Sequence, residues 1–375
     1  MTAIHMTEIQ TREATVMSDF SPLKALHPAG TQYREVGDTS VAGVYGDFDT
    51  EYKALRSHAA VFDHTSVGLF SISGGGAVDF LQGVLARDIE FLTPELCTPS
   101  LILDDTGAVV DIVTVYALED RFLLETSFGR RAATRAHLSS HRSPDVDIDD
   151  LHDCDGVIAI EGPYSWGVVG RLIDPELTAL PYQTVQETSW EGRPILFARA
   201  GFTGEYGYKV LGPVETLSAM WEHTTVEIPA AGFDVLETAM VEVRQPLVHR
   251  ECRPGTNLVE AGLNWLLDRS KDGFVGRDAV AAMWEAGPRS LTVGGRCAGP
   301  VMDGAAVFAG DRPIGTIGFS VPSPGVDGVL ALALLDPAFA AAGLELQVQT
   351  ATGPMPLTTM SSPYLAPASW AIPIF

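Results

Sequence analysis

The sequence lacks the features that mark several large classes of protein. Its 375 residues contain no C-x-x-C pair, and the four cysteines (Cys97, Cys154, Cys252 and Cys297) lie far apart. Zinc sites need closer ligand pairs, so we predict no metal site. Scattered cysteines in a chain of this size are typical of buried packing residues in a reducing compartment, which favours a cytoplasmic location.

Long apolar runs and an excess of basic charge are also missing. No run approaches the ~18–20 apolar residues that span a bilayer, and the N-terminus has no apolar signal segment. Lys and Arg total 24 against 48 Asp and Glu, which gives a formal net charge of −24. Nucleic acids and anionic membranes need a basic footprint, so neither is a predicted partner. We expect a small-molecule substrate, and nothing in the sequence indicates a protein partner.

The composition is that of a well-packed globular protein with more than one domain. Hydrophobic residues make up 46% and charged residues 19% of the chain, and its length favours two or three domains. We interpret residues 1–30 as a flexible tail and residues 31–286 as two lobes. From residue 289 onward short β-rich runs alternate with Gly/Pro turns, which predicts a small C-terminal β-barrel over residues 287–375.

One glycine-rich and aromatic stretch stands out. Residues 200–210 read A-G-F-T-G-E-Y-G-Y-K-V, between an apolar, strand-like run and a helical run. Glycine permits close backbone approach and aromatic rings supply flat apolar walls, so this surface could hold a planar ligand. A tight hairpin with core aromatics is the other interpretation. A phosphate loop is not favoured, because neither G-x-G-x-x-G nor G-K-[ST] is present.

A second informative stretch is a predicted hairpin over residues 101–116. Two β-rich runs flank a D-D-T-G turn, and Asp111 lies inside the second run between Val110 and Ile112. A carboxylate within such a strand is either exposed at an edge or directed into a pocket. The local sequence leaves both alternatives open.

Six stretches, in chain order, resemble motifs of the folate-dependent aminomethyltransferase family, whose best-known member is the T-protein of the glycine cleavage system. They are residues 61–66, 105–111, 158–163, 201–208, 258–265 and 274–279. The resemblance covers roughly residues 35–375. It implies an α+β fold with three lobes in a cloverleaf around a central hole and a C-terminal β-barrel, with residues 31–286 forming two lobes of the folate-binding type.

The resemblance also implies a chemistry, the transfer of a one-carbon unit between a small molecule and tetrahydrofolate by aminomethyl transfer or demethylation. A carboxylate at the junction of pterin and substrate would orient the nucleophile and stabilise the developing cation, and Asp111 matches the family's aspartate. The predicted cofactor-binding residues are Thr126, Phe202, Glu205, Tyr206, Lys209 and Glu242.

The sequence departs from the family pattern at several of these positions. The second aspartate is Ile112, the tyrosine of G-Y-T-G-E is Phe202, and the glutamate expected to bind the amino edge of the pterin is Lys209. A lysine there would repel that edge or leave its donors unpaired. Either Glu205, Glu237 or Glu242 substitutes, or the protein binds something else.

Three functional hypotheses therefore remain open. The first is a divergent folate-dependent one-carbon transferase. The second is an enzyme on the same scaffold that acts on another small molecule without folate, and the third is a non-catalytic binding or maturation protein. His64 and His249 are further catalytic candidates, because histidines would serve with Asp111 as acid–base groups if folate were absent.

Overall fold

The computed structural model describes residues 19–253 and 255–374. Its strands and helices, in chain order, are β1 (Asp19–Phe20), β2 (Gln32–Val36), β3 (Thr39–Val44), α1 (Phe48–Ser57), β4 (Ala60–Asp63), β5 (Leu69–Ser73), α2 (Ala77–Val84), β6 (Cys97–Leu103), β7 (Val109–Ala117), β8 (Phe122–Glu125), α3 (Arg131–His141), β9 (Asp147–Asp150), β10 (Asp155–Glu161), α4 (Ser165–Leu172), β11 (Thr184–Trp190), β12 (Arg193–Arg199), β13 (Gly207–Pro213), α5 (Val214–Glu227), α6 (Phe233–Val243), α7 (Val248–Glu251), α8 (Arg277–Ala286), β14 (Leu291–Cys297), β15 (Ala306–Ala309), β16 (Arg312–Ser323), β17 (Gly328–Leu335), β18 (Glu345–Thr350) and β19 (Gly353–Thr359).

Two five-stranded sheets form the body of the molecule. The first has the strand order β6-β7-β8-β5-β9, and the second has the order β11-β12-β13-β10-β4. Side chains of a strand point alternately to its two faces. On the first sheet Val115 and Leu124 therefore face α2 and α3, while their neighbours Tyr116 and Leu123 face the second sheet. Helices α4 and α5 cover the outer face of the second sheet.

The C-terminal region is a closed barrel with the strand order β14-β17-β16-β15-β18-β19. Its interior is filled by aliphatic side chains such as Val307, Ile317 and Leu346. Gly287 ends α8 with a φ of 70°, a left-handed conformation that glycine adopts without steric cost, and β14 begins four residues later. Mixed helix and sheet followed by this barrel confirm the predicted α+β class and C-terminal barrel.

The structure describes the last part of the segment predicted as an N-terminal tail, residues 1–30, and that part packs on the folded body. Residues 1–18 lie outside the described part of the chain, but β1 pairs in parallel with β3. Leu23 is fully buried in the core of the second sheet, and the Ser21 hydroxyl lies 2.8 Å from the Thr65 hydroxyl. The apolar contact of Leu23 explains why residues 20–30 belong to the folded body. Within the described residues no helix is both long and apolar enough to cross a bilayer.

Candidate functional site

A cavity of about 320 Å³ lies where the two large sheets meet the segment that joins α6 to α7. The first sheet and its loops contribute residues 67, 97–99, 112, 114 and 125–128. The second contributes residues 182, 183, 200–202 and 209, and the rest of the wall comes from residues 233, 240, 245–249, 265 and 266. The cavity is therefore built from residues that are distant in the sequence.

A buried ion pair closes one end of this cavity. Lys209 of β13 donates from Nζ to both oxygens of Glu125, the last residue of β8, at 2.7 and 2.8 Å. The Tyr116 hydroxyl donates to Glu125 Oε2 at 2.5 Å. Burial alone would raise the pKa of the Glu125 carboxyl, but the Lys209 ammonium outweighs it and lowers that pKa to about 2. Glu125 is therefore a carboxylate at neutral pH.

Aromatic rings form the walls next to the ion pair. Phe202 lies over the Lys209 ammonium, with 4.0 Å between Nζ and the ring centroid. The rings of Phe128 and Phe233 meet edge to face with centroids 4.9 Å apart. Flat apolar faces beside a fixed carboxylate suit a planar ring that carries hydrogen-bond donors on one edge.

Asp111, the predicted carboxylate at the junction of pterin and substrate, does not line the cavity. Its Oδ2 accepts from the Thr134 hydroxyl of α3 at 2.8 Å, and its Oδ1 accepts from the backbone N–H of Ile112 at 2.7 Å. Both oxygens also lie 3.3 Å from the backbone nitrogen of Ser127. Burial raises the pKa of Asp111 to about 7 despite these hydrogen bonds. The carboxyl ties β7 to α3 and to the loop after β8.

Ile112 takes the cavity-facing position on β7 instead. Neighbouring residues of a strand face opposite sides of the sheet, so Asp111 and Ile112 cannot both face the cavity. Ile112 lines the cavity wall, whereas Asp111 shares the helix-facing side with Val113 and Val115. The wall at this point is apolar.

The two candidate histidines occupy different places. His64 is fully buried behind Phe202 and Phe128 and does not line the cavity. Its Nδ1 lies 3.9 Å from Glu125 Oε1, too far for a hydrogen bond, and neither ring nitrogen has a hydrogen-bond partner among the described residues. His249 does line the cavity, and its Nε2 lies 2.7 Å from Glu237 Oε1.

Of the predicted cofactor-binding residues, Thr126, Phe202 and Lys209 line the cavity, and Glu205, Tyr206 and Glu242 do not. Glu205 accepts from the Ser369 hydroxyl at 2.6 Å, and the Tyr206 hydroxyl donates to the Ile372 carbonyl at 2.5 Å. Glu242 accepts from the Tyr52 hydroxyl and from Arg56 Nη2, both at 2.6 Å. These three residues join the lobes to one another and to the C-terminal segment.

Glu237 does not substitute for the missing pterin-binding glutamate either. It accepts from Arg34, from Arg250 and from His249, and it does not line the cavity. Burial opposes its ionisation, but the hydrogen bonds from His249, Arg250 and Arg34 hold the pKa of Glu237 well below its ordinary value. Its role is to hold these cations.

Sequence reasoning missed Glu125, the one glutamate among the described residues that line the cavity. Glu125 ends an otherwise apolar strand, and Lys209 lies in another apolar strand. An isolated charge in a buried strand requires a counter-charge nearby. An isolated glutamate in one apolar strand and an isolated lysine in another are therefore expected to pair. This pattern is present in the sequence.

Comparison with known families accounts for most of the chain. The GCVT N-terminal domain matches residues 23–271, and the glycine cleavage T-protein C-terminal barrel domain matches residues 290–365. The first match alone covers more than half of the 375 residues.

Individual relatives agree with the family match. The aminomethyltransferases of Mycobacterium leprae and Synechococcus elongatus are each 30% identical to this chain, over 324 and 325 residues. These alignments cover 84% of this chain and 88% and 87% of the relatives. The crystal structure of glycine cleavage system aminomethyltransferase T from Bartonella henselae superposes with a TM-score of 0.84 at 23% identity. It covers 94% of this chain and 99% of that one, which confirms the three-lobed fold.

Proposed function

Because the chain belongs to the glycine cleavage T-protein family of one-carbon transferase enzymes, we propose that its central cavity binds tetrahydrofolate. We further propose that the protein passes a one-carbon unit, by aminomethyl transfer or demethylation, between this folate and a small molecule. Tetrahydrofolate is the cosubstrate of this enzyme family. The binding residues and the direction of transfer are our proposal.

The observation that carries the proposal is the ionised Glu125 at one end of an apolar cavity. A pterin presents N–H donors along the edge that bears its amino group, and a carboxylate is the acceptor such an edge requires. Lys209 Nζ and the Tyr116 hydroxyl use part of the acceptor capacity of Glu125. A carboxylate accepts about four hydrogen bonds, so acceptor capacity is left for one donor of the ligand.

The charge reversal at Lys209 is compatible with this fit. The side chain of Lys209 is 0% exposed, and its ammonium is paired with Glu125 beside the Phe202 ring, so at the cavity wall it serves as the counter-ion of Glu125. The carboxylate that the family pattern places on this strand is supplied here by the end of β8. Phe202 and Phe128 would then lie against the faces of the ring, and the surrounding apolar wall would exclude water.

The chain's contribution to the reaction is positioning and charge stabilisation. In the transfer, the bond between the migrating carbon and its donor heteroatom breaks, and its electron pair stays with the heteroatom. A nitrogen of tetrahydrofolate forms the new bond to carbon and releases its proton, which the leaving heteroatom takes up. Such a step needs no oxidant.

Calorimetric titration of tetrahydrofolate into the intact protein tests the proposal. We expect binding of one molecule per chain, weakened at least tenfold, or about 1.4 kcal/mol, in Glu125→Gln. Ile112→Trp fills the cavity without touching the ion pair and should also abolish binding. Glu187→Gln changes an exposed carboxylate outside the cavity and is the matched control. Absence of binding to the wild type at high micromolar concentrations would refute the proposal.

A second candidate function is an enzyme on this scaffold that acts on another small molecule without folate. The observation that favours it is Ile112, which gives the cavity an apolar wall where the family pattern has an aspartate. The same titration separates the two candidates, because this alternative requires that the folded protein does not bind tetrahydrofolate.

A further inference from the structure

We propose that His249, held by Glu237, is the catalytic residue that moves the proton during the transfer. The inference rests on the proposed function, since it assigns a role within that reaction. Its foundation is a histidine of α7 at the cavity wall that is paired with a carboxylate of α6.

The position of His249 is fixed by its surroundings. It is the second residue of α7, a short helix in which the backbone N–H of Leu247 donates to Glu251 Oε1 at 2.8 Å. Its ring packs at a tilt against Phe233, with centroids 5.5 Å apart, and both rings line the cavity. The side chain is 16% exposed, so it is restrained but still open to a ligand.

Glu237 determines which nitrogen of the ring is available. Since Glu237 is ionised and accepts at 2.7 Å, His249 donates from Nε2–H. In the neutral ring the lone pair is then on Nδ1, and no described residue forms a hydrogen bond with that atom. Nδ1 is therefore available to exchange a proton with a ligand bound in the cavity.

Glu237 is itself held from several sides. Arg34 of β2 donates to both of its oxygens at 3.1 Å, and Arg250 of α7 donates to them at 3.0 and 3.3 Å. Asp234 of α6 in turn accepts from Arg34 at 2.7 Å. A carboxylate fixed by two guanidinium groups cannot rotate freely, so it fixes the histidine ring as well. Glu237 is a positioning residue in this scheme.

The other ionisable groups at the cavity are poorly suited to move a proton at neutral pH. The Glu125 carboxylate is committed to Lys209, and burial raises the pKa of the Cys97 thiol to about 12. Asp111 faces α3. Among the described cavity-lining residues, His249 is the one histidine, the residue type most often used in general acid–base catalysis.

The proton balance of the step is simple. As the folate nitrogen forms its bond to the migrating carbon, its N–H proton passes to Nδ1 of His249. As the bond between carbon and the donor heteroatom breaks, the same proton passes from Nδ1 to that heteroatom. The imidazole is regenerated after each such exchange. A methyl transfer needs one exchange, and an aminomethyl transfer that ends in 5,10-methylenetetrahydrofolate needs two, the second at the other folate nitrogen.

The deciding experiment is NMR of the ¹⁵N-histidine-labelled protein, with His249→Gln used to assign the signals. We expect the free protein to contain the Nε2–H tautomer of His249, and tetrahydrofolate to shift the Nδ1 resonance. Glu237→Gln should mix the tautomers, whereas His223→Gln, an exposed histidine outside the cavity, should leave the His249 signals unchanged. A protonated Nδ1 in the free protein, or a bound folate that leaves Nδ1 unmoved, would overturn the assignment.

Turnover gives the second readout, with 5,10-methylenetetrahydrofolate, ammonia and dithiothreitol as the reactants of the reverse transfer. We expect His249→Gln to lower kcat roughly 100-fold, the usual size of an acid–base contribution, with an unchanged tetrahydrofolate Kd and partial rescue by added imidazole. Unchanged kcat in this variant overturns the role of His249 alone. Failure of tetrahydrofolate to bind the wild type overturns the proposed function, and this inference with it.

Discussion

Glu125 and Glu237 are both buried and both ionised, but they are held in different ways. Among the described residues, Lys209 is the one cation in hydrogen-bond contact with Glu125, and the side chains of Glu125 and Lys209 are 2% and 0% exposed. Glu237 is 4% exposed, yet its cations Arg34 and Arg250 are 27% and 31% exposed. The first carboxylate is enclosed with its partner, whereas the second lies under cations that reach solvent.

The difference separates a buried ion pair from a partly hydrated cluster. Removing one member of an enclosed pair leaves an uncompensated charge in a low-dielectric environment, which is costly. Removing one member of the cluster leaves cations that water can solvate. We therefore expect the loss of a charge at Glu125 or Lys209 to be more costly than the loss of the charge at Glu237.

The largest expected effect is that of Lys209→Met. It leaves Glu125 with the Tyr116 hydroxyl and with no cation in hydrogen-bond contact, so we expect a loss of about 3–5 kcal/mol in the free energy of unfolding. Urea unfolding monitored by circular dichroism measures it. The double variant Glu125→Gln/Lys209→Met removes both charges and should be more stable than the single variant. If Lys209→Met lowered the free energy of unfolding by less than about 1 kcal/mol, Glu125 and Lys209 would behave as a solvent-exposed pair, and the contrast with Glu237 would not hold.

The second-largest expected effect is that of low pH on the ion pair between Glu125 and Lys209. The pKa of Glu125 is lowered from 4.5 to about 2, so its stabilising contribution is present above pH 4.5 and is lost as the pH falls towards 2. The size is about 3 kcal/mol at 1.36 kcal/mol per pKa unit. We expect the stability difference between the wild type and the double variant to decrease over this window. A constant difference from pH 6 to pH 2 would contradict the prediction.

Glu237→Gln should have a smaller effect on stability. The variant loses charge-assisted hydrogen bonds but leaves partly exposed guanidinium groups, so we expect about 2 kcal/mol in the free energy of unfolding. Asp234→Asn, whose side chain is 37% exposed, is the control and should cost less than about 1 kcal/mol. If Glu237→Gln were as costly as Lys209→Met, solvent access would not be what distinguishes the two glutamates.

The smallest expected effect is that of Asp111→Asn on ligand binding. Because the Asp111 carboxyl faces α3, the Kd for tetrahydrofolate should change by less than about twofold, or about 0.4 kcal/mol. Ile112→Asp alters the cavity wall itself and should change the Kd more. A large loss of binding in Asp111→Asn with retained stability would mean that the carboxylate reaches the ligand after all.

Much of the fold could be predicted from the sequence, because the patterns that specify helices, hairpins and short strands depend on residues that are close together in the chain. The hairpin of β6 and β7, the helix that became α6 and the repeated β-rich runs of the barrel each depend on neighbouring residues. The site was predicted only in part. Phe202, Thr126 and Lys209 line the cavity, but Glu205 and Glu242 bond to other lobes, because long-range contacts decide where a glutamate is directed.

The sequence by itself determined the family, the α+β class and the presence of a carboxylate and an isoleucine side by side on one strand. Only the tertiary structure decided that Ile112, not Asp111, faces the cavity, because a shift of one residue reverses the face of every side chain in a strand. It likewise paired Lys209 with Glu125 across two sheets. The local sequence specifies that neighbouring side chains of a strand point to opposite faces. The packing of the sheets decides which of these faces lines the cavity.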